Sequence, residues 1–226
     1  MGAGLLGLGR VGLALDVACG TGLSTRAVLD LADRVLAVDP SAAMLSAAPR
    51  DPRVRYLRSA AEVLPLRAGC ADLATVSNGF HWFDQEPAFG ELARVLRRGS
   101  ALVVYVDFFH GEITGHAGFA GWLRDSYLPR YPGPARHAQF SDSLAAEAGF
   151  GDVRYAEDDV HLPMSRARLT DYLMSQSNAG AAVESGAITE AALRGQILAE
   201  IAPFVPADGI ADAVFGVRVW ATTLQR

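Results

Sequence analysis

The chain has 226 residues, 50% apolar, 20% charged and 8% aromatic, with a formal charge of -5, figures that suit a compact globular protein rather than a disordered tail or a fibre. All 20 basic residues are arginines, so chemistry that needs a lysine Schiff base or a P-loop lysine is excluded. The acidic balance, with arginines densest at Arg53, Arg55, Arg58 and at Arg97, Arg98, argues against nucleic acid, and two cysteines, Cys19 and Cys70, are too few for a disulfide framework or a four-cysteine zinc site.

Taken in chain order, the stretch from Met1 to Leu15 is rich in glycine and leucine but lacks a basic n-region and a small-residue cleavage site, so it does not read as a signal peptide. No apolar run reaches the ~18 residues of a membrane span. A cytoplasmic protein with a small-molecule partner, no membrane and no metal is expected. From Leu13 to Phe109 short apolar runs alternate with helix-like segments, which predicts an α/β fold, a doubly wound and mostly parallel sheet with right-handed crossovers. The predicted strands are Leu13 to Cys19, Arg34 to Val38, Val54 to Ser59, Leu73 to Ser77 and Ala101 to Phe109. Between the first two, Leu23, Ala27, Val28 and Leu31 recur at helical spacing, with Arg26 and Asp30 opposite. Ser41 is placed to cap a short helix from Ala42 to Ala48, stopped by Pro49. Asp84 is placed to cap a helix with the buried stripe Ala88, Leu92, Val95 and Leu96, and Gly99 to end it in a left-handed turn.

Beyond His110 the alternation weakens. Residues 111–135 read as a cover segment with one helix around Phe119 to Tyr127. Ser141 to Ala148 predicts a helix closed by Gly149, and Val153 to Leu162 a strand whose mixed polarity suits an edge. Residues 163–208 read as a helical lid insertion, including a helix capped by Thr189 with the core face Leu193, Ile197, Leu198 and Ile201. Ala211 to Thr222 predicts a last strand. The 226 residues read as a single domain.

Two glycine signals compete. Gly7-Leu8-Gly9-Arg10-Val11-Gly12 matches the dinucleotide fingerprint, yet that motif needs a strand before it and a helix after it, and here a strand follows. The acidic residue sought about 20 positions on falls at Asp30, inside a helix. A lead-in to the first strand is the better reading, and a nicotinamide-dependent oxidoreductase stays as a rival. Asp16-Val17-Ala18-Cys19-Gly20-Thr21-Gly22, by contrast, ends an apolar run and opens a helix. Gly20 and Gly22 let the backbone pass close beneath a ligand, and the helix start favours a carboxylate; a tight turn with no ligand is the alternative. Thr25 stands where a dinucleotide loop has its third glycine. Val38-Asp39-Pro40 then sets a carboxylate at the crevice beyond the strand ends, where it can accept both hydroxyls of a ribose. An adenosine with an amino-acid tail fits both features.

On these residues the chain resembles the class I S-adenosylmethionine-dependent methyltransferases, in particular the ubiquinone-biosynthesis-like, type 11 group. The carriers are Leu15 to Gly22; Ala37 to Ser41 with Met44; Ser59 to Pro65; Asp72-Leu73 through Asn78 with Phe80-His81-Trp82-Phe83; and Glu91 with Arg94 to Gly99. The resemblance implies a Rossmann-like methyltransferase fold with S-adenosyl-L-methionine as cofactor. It implies Asp16, Ala18, Gly20 and Gly22 at the methionine end, Asp39 and Pro40 at the ribose, Met44 on one side of the adenine, Ala61 and Glu62 at its edge, and Asn78 near the sulfonium. Met44 as the core of its helix and Glu62 as a solvated helix cap stay open. Ala18 stands where the group has a glycine, and a glycine-rich stub precedes Leu13 where members carry a helix.

Methyl transfer from a sulfonium is an in-line displacement that mainly needs alignment and exclusion of water. A hydroxyl or amine acceptor also needs a base, for which His81 is placed; a carboxylate needs none. His81 held structurally beside Trp82 is the alternative, and His110 is a second candidate near the same rim. His116, His137 and His161 fall in cover or edge segments. Trp82, His110, Arg166, Tyr172 and Ser175 are the candidate acceptor contacts. The insertion, with Gln176, Ser177 and Asn178, distantly resembles the branch that esterifies small carboxylic acids, where an arginine would hold the acid; a solvated helix face is the plainer reading of Arg166 and Arg168. Phe108, Phe109, Phe119, Trp122 and Tyr127 either build an apolar pocket or pack as core. A non-catalytic S-adenosylmethionine-binding protein is the second rival. The oligomeric state is not encoded in any motif.

Overall fold

The computed structural model describes residues 7–135 and 140–225. The first six residues and His137 lie outside the described residues. The chain divides into two compact units. The first runs to Val106 and adds the segments that end at Glu157 and begin at Arg218; the second comprises Asp107–Ala135 and Asp158–Val217.

In the first unit, β1 (Val11–Val17), β2 (Ala32–Asp39), β3 (Val54–Arg58) and β4 (Ala71–Ser77) alternate with α1 (Leu23–Val28) and α2 (Ala42–Ala47). β4 leads through a 3-10 turn at Phe80–Trp82 into α3 (Gln85–Val95) and the long β5 (Leu96–Ile113). β1 pairs in parallel with β2 and β4, β2 with β3, and β4 with β5. Strands covered on both faces should be apolar without alternation. In β1 and β4 the runs Ala14–Val17 and Leu73–Val76 are indeed wholly buried. The core joins Leu15, Val17, Val38 and Val76 of the sheet to Phe80, Phe89 and Leu92.

The remaining elements are α4 (Ala117–Trp122), continued by a π-helical turn Leu123–Tyr127 and a last helical turn Leu128–Arg130, then α5 (Asp142–Glu147), β6 (Arg154–Ser165), α6 (Arg166–Ser175), α7 (Ser177–Glu184), α8 (Glu190–Glu200) and β7 (Ile210–Thr223). The sheet order is β3-β2-β1-β4-β5-β7-β6, which leaves β6 at an edge as its polarity requires. β7 runs against β5, since Gly99 N–H donates to Leu224 O and Thr114 N–H to Asp212 O. Ser41, Ser141 and Thr189 each accept a backbone N–H at the helix starts assigned to them, a contribution of about 1 kcal/mol apiece. Gly149 takes φ +101° after α5. In the second unit Ile113, Phe119, Tyr127, Leu169, Leu193 and Ile197 form the core. Phe119 and Tyr127 are therefore packing residues.

Several expectations need correction. The first strand stops at Val17, because Ala18 turns to φ +57°. Gly99 does not end α3. The helix passes directly into β5, and Gly99, at φ +81°, lies in an irregular stretch where Ala71–Leu73 of β4 faces Leu96–Ala101 of β5. Asp84 makes no side-chain cap. In α1 the buried residues are Thr25 and Val28, while Leu23 is 83% exposed; one and a half turns are too short to keep a full stripe inward. Among the described residues no helix is long and apolar enough to cross a membrane, and no group of three His, Cys, Asp or Glu side chains is placed to hold a metal.

Candidate functional site

β1 brings the chain to the carboxyl edge of the parallel strands, and residues 18–22 make the turn into α1. Ala18 (φ +57°), Gly20 (+54°) and Gly22 (+83°) all adopt left-handed backbone. Glycine does so freely; at Ala18 the conformation costs about 1 kcal/mol. One bond ties the turn to β2, Cys19 N–H donating to Val38 O (3.0 Å), and one closes the turn on itself, Gly22 N–H donating to Cys19 O (2.9 Å). A Cβ on Gly22 would stand 2.6 Å from the Tyr56 hydroxyl, whereas one on Gly20 would meet nothing within 4 Å. Gly22 is thus a packing glycine, and Gly20 faces open space.

Asp39 ends β2 beside this loop. Its Oδ2 accepts from Gly20 N–H at 2.9 Å and its Oδ1 from Ser41 N–H at 2.8 Å. One carboxylate therefore joins the loop after β1 to the start of α2, and the two segments picked out by sequence face one another. The Gly20 N–H is consequently taken by Asp39, so it is not one of the free donors expected at the start of α1. Next along, the Pro40 carbonyl accepts from Arg58 Nε at 3.0 Å.

Asp16 is fully buried. Its Oδ2 accepts from the hydroxyls of Ser24 and Thr25, both at 2.7 Å, and its Oδ1 from Thr75 at 3.0 Å. Burial pushes its carboxyl up from the usual 3.8, the three hydroxyls pull it back, and Asp39 pushes it up further. The Cys19 thiol is pushed up to about 12, first by burial and then by Asp16 and Asp39. The cysteine is inert as a nucleophile.

Met44 is 48% exposed on α2, a helix with no buried residue, so the alternative that it packs in the core is overturned. Glu62 Oε1 accepts from Asp84 N–H at 3.0 Å, just ahead of α3. The cap-like alternative for Glu62 thus has a specific form, at another helix. Ala61 is buried in the core. Its loop is fastened by Glu91, which accepts from Leu64 N–H at 2.7 Å, and by Arg94, which donates to Leu64 O and Leu66 O. Asn78 leaves β4 at φ +51°. A Cβ on the next residue, Gly79, would lie 2.4 Å from the Ala18 methyl. The alanine in place of a glycine after β1 is accommodated by a glycine after β4.

His81 is 8% exposed, its ring 4.9 Å from that of Trp82, which is itself 47% exposed. In the second unit, His110 Nε2 lies 2.9 Å from Asp159 Oδ1. Arg166 Nε donates to Val205 O at 2.6 Å, the Ser175 hydroxyl donates to Tyr172 O within its own helix, and the Tyr172 ring packs edge-on against Phe109 and Phe215. These three residues have internal roles that sequence did not reveal. Sequence also missed the holders of Asp16, namely Ser24, Thr25 and Thr75, and the exposure of Leu23 and Val63 (72%). Leu23, Met44, Val63 and Trp82 follow β1, β2, β3 and β4 in turn, so each connection at the carboxyl edge carries one exposed large apolar side chain.

Residues 15–104 match the family model described as "Methyltransferase domain". The ubiquinone/menaquinone biosynthesis C-methyltransferase of Campylobacter jejuni is 34% identical over 122 residues, 50% of either chain. The malonyl-[acyl-carrier protein] O-methyltransferase of Pectobacterium atrosepticum is 38% identical over 90 residues, 39% of this chain and 36% of that protein. This chain thus spans half or less of the length of these curated relatives. In fold, it is similar to a solved structure of a candidate type II methyltransferase from Anaeromyxobacter dehalogenans, with TM-score 0.67, 24% identity and coverage of 95% and 91%.

Proposed function

We propose, for a chain whose residues 15–104 match a methyltransferase domain family, that it is a class I S-adenosylmethionine-dependent enzyme that transfers the methyl group of S-adenosyl-L-methionine to a small-molecule hydroxyl, amine or carboxylate by in-line displacement. The observation that carries this reading is the 2.9 Å bond from Gly20 N–H to Asp39 Oδ2, which brings the glycine loop and the strand-ending acid together. Bound S-adenosylmethionine supplies an electrophilic methyl on a sulfonium.

The donor set fits such a cofactor. Asp39 and Glu62 give the carboxyl edge negative charge close to the loop, which complements an ammonium and a sulfonium and opposes the pyrophosphate of a dinucleotide. The first glycine signal also fails as a nicotinamide site, because Val11 and Gly12 already belong to β1. Asp39 keeps lone pairs beyond its two backbone donors, enough to accept ribose hydroxyls. Gly20, with open space above its Cα, and Gly22 hold the amino-acid end. Asp16 acts from behind, bracing the loop through Ser24 and Thr25 as a positioning residue. Met44, exposed and polarizable, suits one face of the adenine, with Ala61 and Glu62 at its edge. Asn78 and Ala18, both in left-handed backbone, form the floor.

His81 is the group assigned to take the proton of a hydroxyl or amine acceptor, with exposed Trp82 beside it as an apolar wall. The relatives' names span carbon and oxygen acceptors, so the choice of acceptor rests on this chain's own residues. The test is a thermal shift: S-adenosylhomocysteine is expected to raise the melting temperature, and reduced nicotinamide dinucleotide to leave it unchanged. The reverse pattern would overturn the assignment. Binding without turnover of any acceptor would favour a non-catalytic binding protein, a reading no residue of the site specifically supports.

A further inference from the structure

The opposite, amino-terminal edge of the same parallel strands holds a cavity of about 590 Å³. Its cause is topological. Residues 59–70, between β3 and β4, contain no helix, so among the described residues this part of the sheet face is bordered by a loop that includes Leu66 and Arg67. Pairing sets Leu13 beside Arg34 and Leu36 beside Arg55, and alternation along each strand places these four side chains on one face. Arg53, Arg67 and Arg97 complete a ring of five arginines around the cavity, against the single acid Asp72.

The two ends of that ring are already neutralised. Arg53 pairs with Asp51 at 3.1 Å, and Arg97 with Asp72, whose other oxygen accepts from Leu13 N–H at 2.8 Å. The side chains of Arg34, Arg55 and Arg67 make no hydrogen bond or ion pair among the described residues. A chain of net charge -5 thus gathers three guanidinium groups without an ion-pair partner among the described residues around one concavity floored by Leu13 and Leu36. Like charges held together without a counter-charge raise the energy of the free state, and an anion relieves it. The planar guanidinium fork matches phosphate oxygens two at a time. The volume lies within the roughly 300–1,000 Å³ of small-molecule sites.

We infer that this amino-edge cavity is a second binding site, independent of the cofactor crevice, for a small multiply charged phosphate ester, with Arg34, Arg55 and Arg67 holding the phosphates and the apolar floor meeting the body of the ligand. Calorimetric titration of the full chain saturated with S-adenosylhomocysteine tests it, with pyrophosphate and uridine diphosphate as probes and uridine as control. Saturable one-to-one binding of both phosphates is expected, weakening as salt rises, with none for uridine. The triple variant Arg34→Ala, Arg55→Ala, Arg67→Ala is expected to bind both at least tenfold more weakly, to keep the full thermal shift with S-adenosylhomocysteine, and to melt no lower than the parent. If that variant fails to fold, Arg55→Gln alone is expected to weaken binding at least threefold. Absence of saturable binding, unchanged affinity in the variant that folds, competition by S-adenosylhomocysteine, or binding to polyglutamate but not to pyrophosphate would each overturn the proposal.

Discussion

The two edges of the parallel strands in the first unit carry opposite chemistry. At the carboxyl ends of β1 and β2, the carboxyl groups of Asp16 and Asp39 are buried and held by hydroxyls and backbone N–H groups respectively. At the amino ends of β1 to β3, arginines stand exposed around a cavity, three of them with no partner among the described residues. Parallel strands all point the same way, so every connection leaving them collects at one edge and every entry at the other. Burial of a charge demands partners, which is why the carboxyl edge is built of short, specific bonds. Exposed guanidinium groups demand none, and the amino edge is shaped by packing instead.

Substitutions can break this contrast, beginning with the most buried group. Asp16→Ala would strand the hydroxyls of Ser24, Thr25 and Thr75 in the core, and a loss of about 3 kcal/mol of unfolding free energy is expected from urea denaturation. A loss below about 1 kcal/mol would mean the loop is not braced from behind. The pH dependence sharpens the point. The Asp16 carboxyl is raised above its usual 3.8 in the folded chain, so the fold binds this proton more readily than the unfolded chain does. Its contribution is complete below pH 3.8 and is lost as pH rises through the higher folded value. Asp16→Asn has no such titration, so the parent should lose stability relative to the variant over that rise. A gap that stays flat with pH, or one that narrows on acidification in the opposite sense, contradicts the direction.

Gly22→Ala comes next. The residue sits at φ +83°, and its new methyl would meet the Tyr56 hydroxyl at 2.6 Å, so a cost of about 2 kcal/mol in thermal unfolding is expected. At the other edge, Asp72→Ala frees Leu13 N–H and Arg97 in a half-exposed setting. About 1 kcal/mol is expected there, with S-adenosylhomocysteine affinity unchanged; an altered affinity would show that the two edges are coupled.

The same physics explains what sequence could and could not reveal. Asp39 was legible because a carboxylate closing an apolar strand has no comfortable place unless something donates to it. Ser41 and Thr189 were legible because capping is a local bond between near neighbours. Thr75 as a partner of Asp16 was not, because it comes from a strand far along the chain. Gly79 making room for the Ala18 methyl is likewise a through-space fit with no trace in spacing. Gly99 showed its left-handed backbone in the sequence but not its setting, since a helix end and a strand irregularity ask the same of a glycine. Leu23 reads as core by periodicity, yet in a helix as short as α1 the chain's entry direction decides which face turns inward. Arg166 and Ser175 look like ligand contacts because polar side chains on helices carry no mark of the backbone carbonyls they reach.

The central claim is that one carboxylate, bonded to the glycine loop, holds the methyl donor. Calorimetric titration of S-adenosylhomocysteine into the parent and into Asp39→Ala measures this directly. Affinity in the variant is expected to fall about a hundredfold, close to 2.7 kcal/mol, while circular dichroism still shows the folded chain. Equal affinity in the two folded proteins would contradict it.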